Sequence, residues 1–224
     1  VAPNLPFLVQ KAKAVLKNFE KSINAKTYLL DSGFGSLPSD ESNPELIKIF
    51  FDVQNDYIKN RLYLLSAIVS GPNGIKEITH ITEHSPSEED EKKLLRTWIV
   101  DILSAIKQVA AQKDAYIHLY CYNRYDQKVL LESLKRNLQT ISTVPAFFDL
   151  LTQSPALSQP IISFLFDELK ERTNLGLTCL SLHSASSQLG FKWNDQEYDY
   201  FNLFRARIFD NRRYVIRDSN GKIT

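Results

Sequence analysis

Two short segments of the chain hold acids where an apolar run gives way to polar residues. The first is Phe50-Phe51-Asp52-Val53-Gln54-Asn55-Asp56, and the second is Leu119-Tyr120-Cys121-Tyr122-Asn123-Arg124-Tyr125-Asp126. Phosphodiester cleavage with two magnesium ions needs several carboxylates converging on one place. One ion activates water and the other steadies the leaving oxygen, about 3.5–4 Å away. Magnesium takes oxygen ligands, mostly carboxylate and water. An acid at the end of a central strand, with further acids on the helices beside it, builds such a site economically. Asp52 and Asp126 are therefore the candidate catalytic acids and metal ligands. Each also has a plain structural reading, Asp52 as a turn carboxylate and Asp126 as a first-turn helix acid favoured by the dipole. Asp56 stands two residues after Gln54 and faces the same side if the strand continues. It is a further candidate ligand, with a surface-turn acid as the rival reading.

Other groupings carry less. His80 and His84 are four apart with Glu77 near, but the stretch reads as a strand end running into a loop, not a zinc-binding helix. Cys121 and His118 fall on opposite faces of a regular strand, so they are not a nucleophile and its base. Gly33-Phe34-Gly35 lacks the rest of a phosphate-loop signature. Ser181 and Ser184 sit in no nucleophile elbow. Arg205, Arg207, Arg212, Arg213 and Arg217, interleaved with Phe209 and Tyr214, form the one basic cluster. That cluster is the candidate phosphate contact, with an exposed charged hairpin as the rival. Several aromatics, among them Tyr116, Tyr122, Tyr125 and Trp193, are of a type that stacks on bases.

The elements that must position these residues follow from periodicity. Residues 6–24 read as an amphipathic helix with Leu8, Ala12, Val15, Leu16, Phe19 and Ile23 on one face. A loop rich in Gly, Ser, Pro and Asp, about 31–45, separates it from a main domain. That domain opens with a strand over 46–53, a second over 61–70, a Gly71-Pro72-Asn73-Gly74 turn, and a third over 75–81. Ser87 with Asp90 resembles a capping box opening a long helix, whose apolar residues Leu94, Leu95, Trp98, Ile99, Ile102, Ile106 and Val109 recur at helical spacing. Residues 115–121 are apolar nearly throughout, as a buried parallel strand should be. A helix follows over 123–138. The remainder reads as mostly helical: 144–151, 159–172, a short piece near 181–189, and 195–209.

The order strand, strand, strand, helix, strand, helix is that of a ribonuclease-H-like α/β core. Three antiparallel strands precede a parallel one, and the first and fourth strands lie side by side. Ligands bind beyond such strand ends. The two acid segments resemble the first two motifs of the DEDD exonuclease superfamily, Asp-x-Glu on strand one and Asn-x-x-(Phe/Tyr)-Asp opening the helix after strand four. Across about 46–193, the run of FFDVQND, RLYLLSAIV, YIHLYCYNRYD and LSLHSASSQLGFKW is similar to the ribonuclease-H-like domain of RecB-type nuclease and helicase proteins. The resemblance implies a magnesium- or manganese-dependent 3′–5′ exonuclease acting on single-stranded nucleic acid within a larger helicase-type polypeptide. It implies that Asp52 bridges both ions, that Asp126 binds the second, that Asn123 positions the helix start, and that Tyr125 packs beneath it. Asn123 and Tyr125 then join the arginine cluster as candidate nucleic-acid contacts. The chain also departs from the pattern. Gln54 stands where the family has Glu, which keeps a carbonyl oxygen but loses a charge. The family's last acid has no clean counterpart: Tyr198 is followed four residues on by Asn202, and Asp195, Asp199 and Asp210 are loose candidates. His183 stands where relatives often carry Lys. A catalytically inactive module for strand binding or protein contact is the alternative.

Composition sets the outer bounds. The chain has 224 residues, of which 43% are hydrophobic, ample for a sizeable core. Its 27 basic residues nearly balance 26 acidic ones, so it is not a basic nucleic-acid wrapper, and contact must come from a local patch. Two cysteines in apolar settings, without a framework spacing, fit a reducing cytoplasm. No apolar run reaches the roughly 18 residues that span a bilayer, so no membrane partner is expected. The sequence has no methionine and stops within Ser219-Asn220-Gly221-Lys222, a hairpin-turn pattern. The expectation is a segment of 1–45, helix and linker, and a domain of 46–224 excised from a longer protein and cut short at its C-terminal end.

Overall fold

Ile47, Ile49, Phe51 and Val53 are buried and alternate with the half-buried Lys48, Phe50, Asp52 and Gln54. This period of two is that of a strand with one face against a core. A computed structural model of the chain describes residues 43–112, 115–139, 141, 144–153, 161–174, 177 and 180–191, with 5, 6, 8, 9, 12, 13, 16, 28, 29, 37 and 38 before them. Strand β1 runs Ile47–Asp56, β2 Arg61–Gly71 and β3 Gly74–Ile81. Helix α1 covers Glu88–Val109, β4 Ile117–Cys121, α2 Arg124–Asn137 and α3 Val144–Gln153. Strand β5 (Ile162–Phe164) leads into α4 (Leu165–Arg172), and α5 is Leu182–Gln188.

The five strands form one open mixed sheet in the order β3-β2-β1-β4-β5. β1 pairs antiparallel with β2, and β2 antiparallel with β3. β1 pairs parallel with β4, from Ile47↔Ile117 to Phe50↔Tyr120. The protein is thus α/β with a mixed sheet and flanking helices, as its element order predicts. One element differs. The stretch 159–172 reads as a single helix, but Ile162–Phe164 is the fifth strand, with the Leu119 amide donating to the Ile161 carbonyl at 2.7 Å. Residues Ile161 and Ile162 are β-branched and suit a pleated surface, and the helix begins only at Leu165.

Helix α1 turns Leu94, Leu95, Trp98, Ile99, Ile102, Ala105 and Val109 inward. Trp98 meets Phe51 and Phe147 edge-on, with ring centroids 6.5 Å and 5.6 Å away. The odd-numbered face of β1 is therefore the core face, and Asp52 and Gln54 lie on the other. The β2–β3 turn closes on the end of α1: the Asn73 amide donates to the Val109 carbonyl (3.0 Å) and its side chain to that of Ala110 (2.9 Å).

The chain divides into two compact units, residues 39–163 with 198–224, and residues 1–38 with 164–197. The division near 38 falls within the loop expected to separate the domains. Residues 164–197 cluster with the N-terminal stretch. In that second unit Tyr28–Leu29 pairs antiparallel with Thr173–Asn174. Ser181 caps α5 by accepting from the Ser184 amide at 3.1 Å. The described positions between 5 and 16 are helical, as expected. The expected helix over 195–209 and the turn near 219–222 lie outside the described residues.

Candidate functional site

The parallel pairing of β1 and β4 ends at Phe50↔Tyr120, whose rings stack at 4.7 Å and 17°. Two residues further along β1 comes Asp52, and three residues beyond Tyr120 the chain turns into α2. Both acid segments therefore follow the end of the β1–β4 pairing, with Asp52 still in the sheet opposite Ser66 of β2. Asn123 caps α2. Its side-chain oxygen accepts from the amides of Tyr125 (2.7 Å) and Asp126 (3.3 Å), and Asp126 Oδ2 accepts in return from the Asn123 amide (3.3 Å). This reciprocal box satisfies backbone donors that a helix start leaves open. It also fixes Asp126 on the side of α2 that faces the sheet.

Asp126 is nearly buried, with 5% of its surface exposed. Burial pushes its carboxyl up to about 6; the Asn123 amide opposes the rise and the Asp52 charge adds to it. The two acids are thus close enough for one to feel the other's charge. Cys121 is buried, and its Sγ donates to the Asn123 carbonyl (3.4 Å). Burial pushes that thiol up to about 12, and the charges of Asp126 and Asp52 add to the rise. A thiol so placed stays protonated and is no nucleophile. His118 pairs instead with Ser163, its Nε2 2.8 Å from the hydroxyl, and burial lowers its pKa.

Gln54 shares the Asp52 side of β1, and its Nε2 donates to Asp52 Oδ2 at 3.1 Å. The amide thus neutralises part of that carboxylate instead of adding a third one. Asp56 has another task. Its Oδ1 accepts from the amides of Ile58 (2.9 Å) and Lys59 (3.1 Å), and its Oδ2 from the Ser85 hydroxyl (3.1 Å). It closes the β1–β2 turn, which ends in Asn60 at φ 50°. A register shift between Gln54 and Asn55 breaks the alternation that would have put Asp56 beside Gln54. The surface-turn reading of Asp56 is the one the geometry follows, except that the carboxylate is buried.

Tyr125 does not pack beneath the helix start. It is 54% exposed, and its hydroxyl donates to Asn55 Oδ1 at 3.1 Å. Tyr57 and Ile58, at the tip of the same turn, are also exposed. The arginines 205, 207, 212, 213 and 217, and the acids 195, 199 and 210, lie outside the described residues. Among the described residues no group of three or more His, Cys, Asp or Glu side chains is arranged to hold a metal ion. The His80 Nε2 lies 2.8 Å from Asp101 Oδ2. No helix is long and apolar enough to cross a membrane among the described residues.

Sequence reasoning missed Asn55, which bonds to Tyr125, and, elsewhere in the same unit, the buried Glu91. Asn55 carries no motif signal. Glu91 does carry one. It stands three, four and seven residues before Leu94, Leu95 and Trp98, on the apolar stripe of α1, where an acid must find partners. No family model, no curated protein and no solved structure matches this chain.

Proposed function

We propose that residues 39–163 form the core of a ribonuclease-H-like domain of the DEDD exonuclease kind, which handles single-stranded nucleic acid within a larger helicase-type polypeptide. The observation that carries this reading is the placement of Asp52 on β1 and Asp126 in the first turn of α2, after the end at which β1 and β4 pair in parallel. The sheet order, with β4 parallel beside β1, supports it. So do the exposed aromatics Tyr57 and Tyr125, the latter bonded to Asn55, since stacking on such rings is worth about 1–3 kcal/mol per base.

The donor set bears on the metal. Two carboxylates suit one magnesium or manganese ion that keeps most of its waters and takes further oxygens from a phosphate. With Gln54 donating to Asp52 and Asp56 held in the turn, the described residues suit one ion better than a pair. Asp52 and Asp126 would hold it. When bound, such an ion polarises the phosphate and lowers the pKa of a bound water.

A second reading has its own support. The Gln54–Asp52 hydrogen bond occupies a ligand position, which favours a module that binds a strand without cutting it. The two readings separate in one experiment. End-labelled single-stranded DNA and RNA are incubated with the chain and its Asp52→Ala variant in millimolar manganese. The nuclease reading expects stepwise shortening by the wild type alone. Strand binding with no shortening supports the inert module, and equal shortening by both proteins rules out this acid pair as its source.

A further inference from the structure

The last backbone pair joining the two acid-bearing segments is Phe50↔Tyr120. Past it, β1 runs on to Asp52 and Asn55 while the other segment turns into α2. Beyond it no backbone pair joins the two segments, although β1 stays paired with β2. A side-chain link does span this gap: the Tyr125 hydroxyl on the first turn of α2 donates to Asn55 Oδ1 on β1, at 3.1 Å across 70 residues of sequence.

We infer that Tyr125 and Asn55 form a positioning clamp that sets the separation of Asp52 and Asp126. Tyr125 directly precedes Asp126, and Asn55 lies three residues beyond Asp52 on the same strand. The register shift between Gln54 and Asn55 releases Asn55 from the strict alternation of the strand at the position where the link forms. Asn123 holds the Tyr125 amide at 2.7 Å, so the ring is directed from a capped helix start. The clamp acts through the acids and is no catalytic residue itself. Its use in holding a cation rests on the function proposed above, but its effect on local opening does not.

The test uses the full chain with Tyr125→Phe, Asn55→Ala and the double variant. The first readout is manganese affinity, measured from the electron paramagnetic resonance signal of the free ion. A net hydrogen bond of ordinary strength translates to a loss of about fivefold in Tyr125→Phe. The double variant should lose no more than the weaker-binding single one. Losses that add independently, or single variants that bind as the wild type does, overturn the clamp. The second readout needs no metal. Cys121 is buried at the end of β4 that leads into α2, and its alkylation, followed by peptide mass mapping, should quicken severalfold in Tyr125→Phe. If the wild type binds no manganese, the cation reading fails while the Cys121 rate still decides the clamp. An unchanged rate then overturns it.

Discussion

At Asp52 the side chain two residues along the strand decides what the carboxylate can hold. Gln54 gives it a hydrogen bond at 3.1 Å where a glutamate would give it a like charge. Gln54→Glu should therefore destabilise the metal-free protein and strengthen its hold on manganese by about tenfold, since carboxylate count sets affinity for hard cations. Thermal unfolding in chelator and in manganese measures both effects. A midpoint that ignores manganese in this variant would show that residue 54 does not face a cation site. Asp126 makes the opposite case, of a charge the fold holds at a cost. Unfolded, its carboxyl titrates near the ordinary 3.8; folded, near 6. Between those values the folded chain keeps a proton that the unfolded chain releases, so this group's contribution falls as pH rises and is fully unfavourable above about 6. Asp126→Asn keeps an oxygen for the Asn123 amide and removes the charge. It should be more stable than wild type by about 1–3 kcal/mol at pH 8, the gap closing toward pH 4. Denaturant titrations across that range check it, and a gap that widens toward low pH refutes the sign.

Elements were legible where their signals were local. The capping box of α1 was readable from Ser87 and Asp90, and both halves of it form, at 3.2 Å and 2.9 Å. The parallel placement of β4 followed from a nearly continuous apolar run, whereas the role of Asn123 at the start of α2 came from the resemblance to the exonuclease motif. β5 was not legible, because a three-residue strand after Pro160 has no period to read. The register shift in β1 was not legible either, because a bulge is a property of two strands, and with it went the placement of Asp56 and Asn55. Gly71 shows how tightly elements meet. A Cβ there would stand 2.8 Å from the Val109 carbonyl oxygen and 2.9 Å from its Cγ2. Gly71→Ala must push the end of α1 away from the β2–β3 turn and loosen the two bonds Asn73 makes there. The expected loss is about 1–3 kcal/mol, in the range of overpacked cores. Hydrogen exchange should show it concentrated in the last turn of α1. Uniform loss across the sheet, or none, would mean that the contact is softer than its distances imply.

At the scale of the whole 39–163 unit, a single buried carboxylate joins three elements. Glu91 is fully buried in α1. Its Oε1 accepts from the Leu62 amide (3.0 Å), the Ser133 hydroxyl (2.8 Å) and Arg136 (2.7 Å), and its Oε2 from Arg61 (2.9 Å). β2 and α2 are thereby tied to α1 through one side chain. Burial works to raise the Glu91 pKa, but the bonds from Arg136, the Leu62 amide, Ser133 and Arg61 outweigh it and hold it below its ordinary 4.5. The folded chain then binds fewer protons here than the unfolded one, so the stabilisation is complete above about 4.5 and is lost as pH falls through the folded value. Asp126 runs the other way, and the two limbs of the pH curve have different owners. Glu91→Gln keeps the shape but turns an amide N–H toward one of the arginines and leaves that cation poorly paired. Breaking one side of such a pair costs about 3 kcal/mol. The variant should lose that much at pH 7, and its stability should fall less steeply than the wild type's below pH 4.5, because the group that titrates there is gone. Equilibrium unfolding at pH 7 and pH 3.5 separates the two effects. Equal losses at both values would show that Glu91 acts through packing alone, and that the three elements around it are not held by its charge.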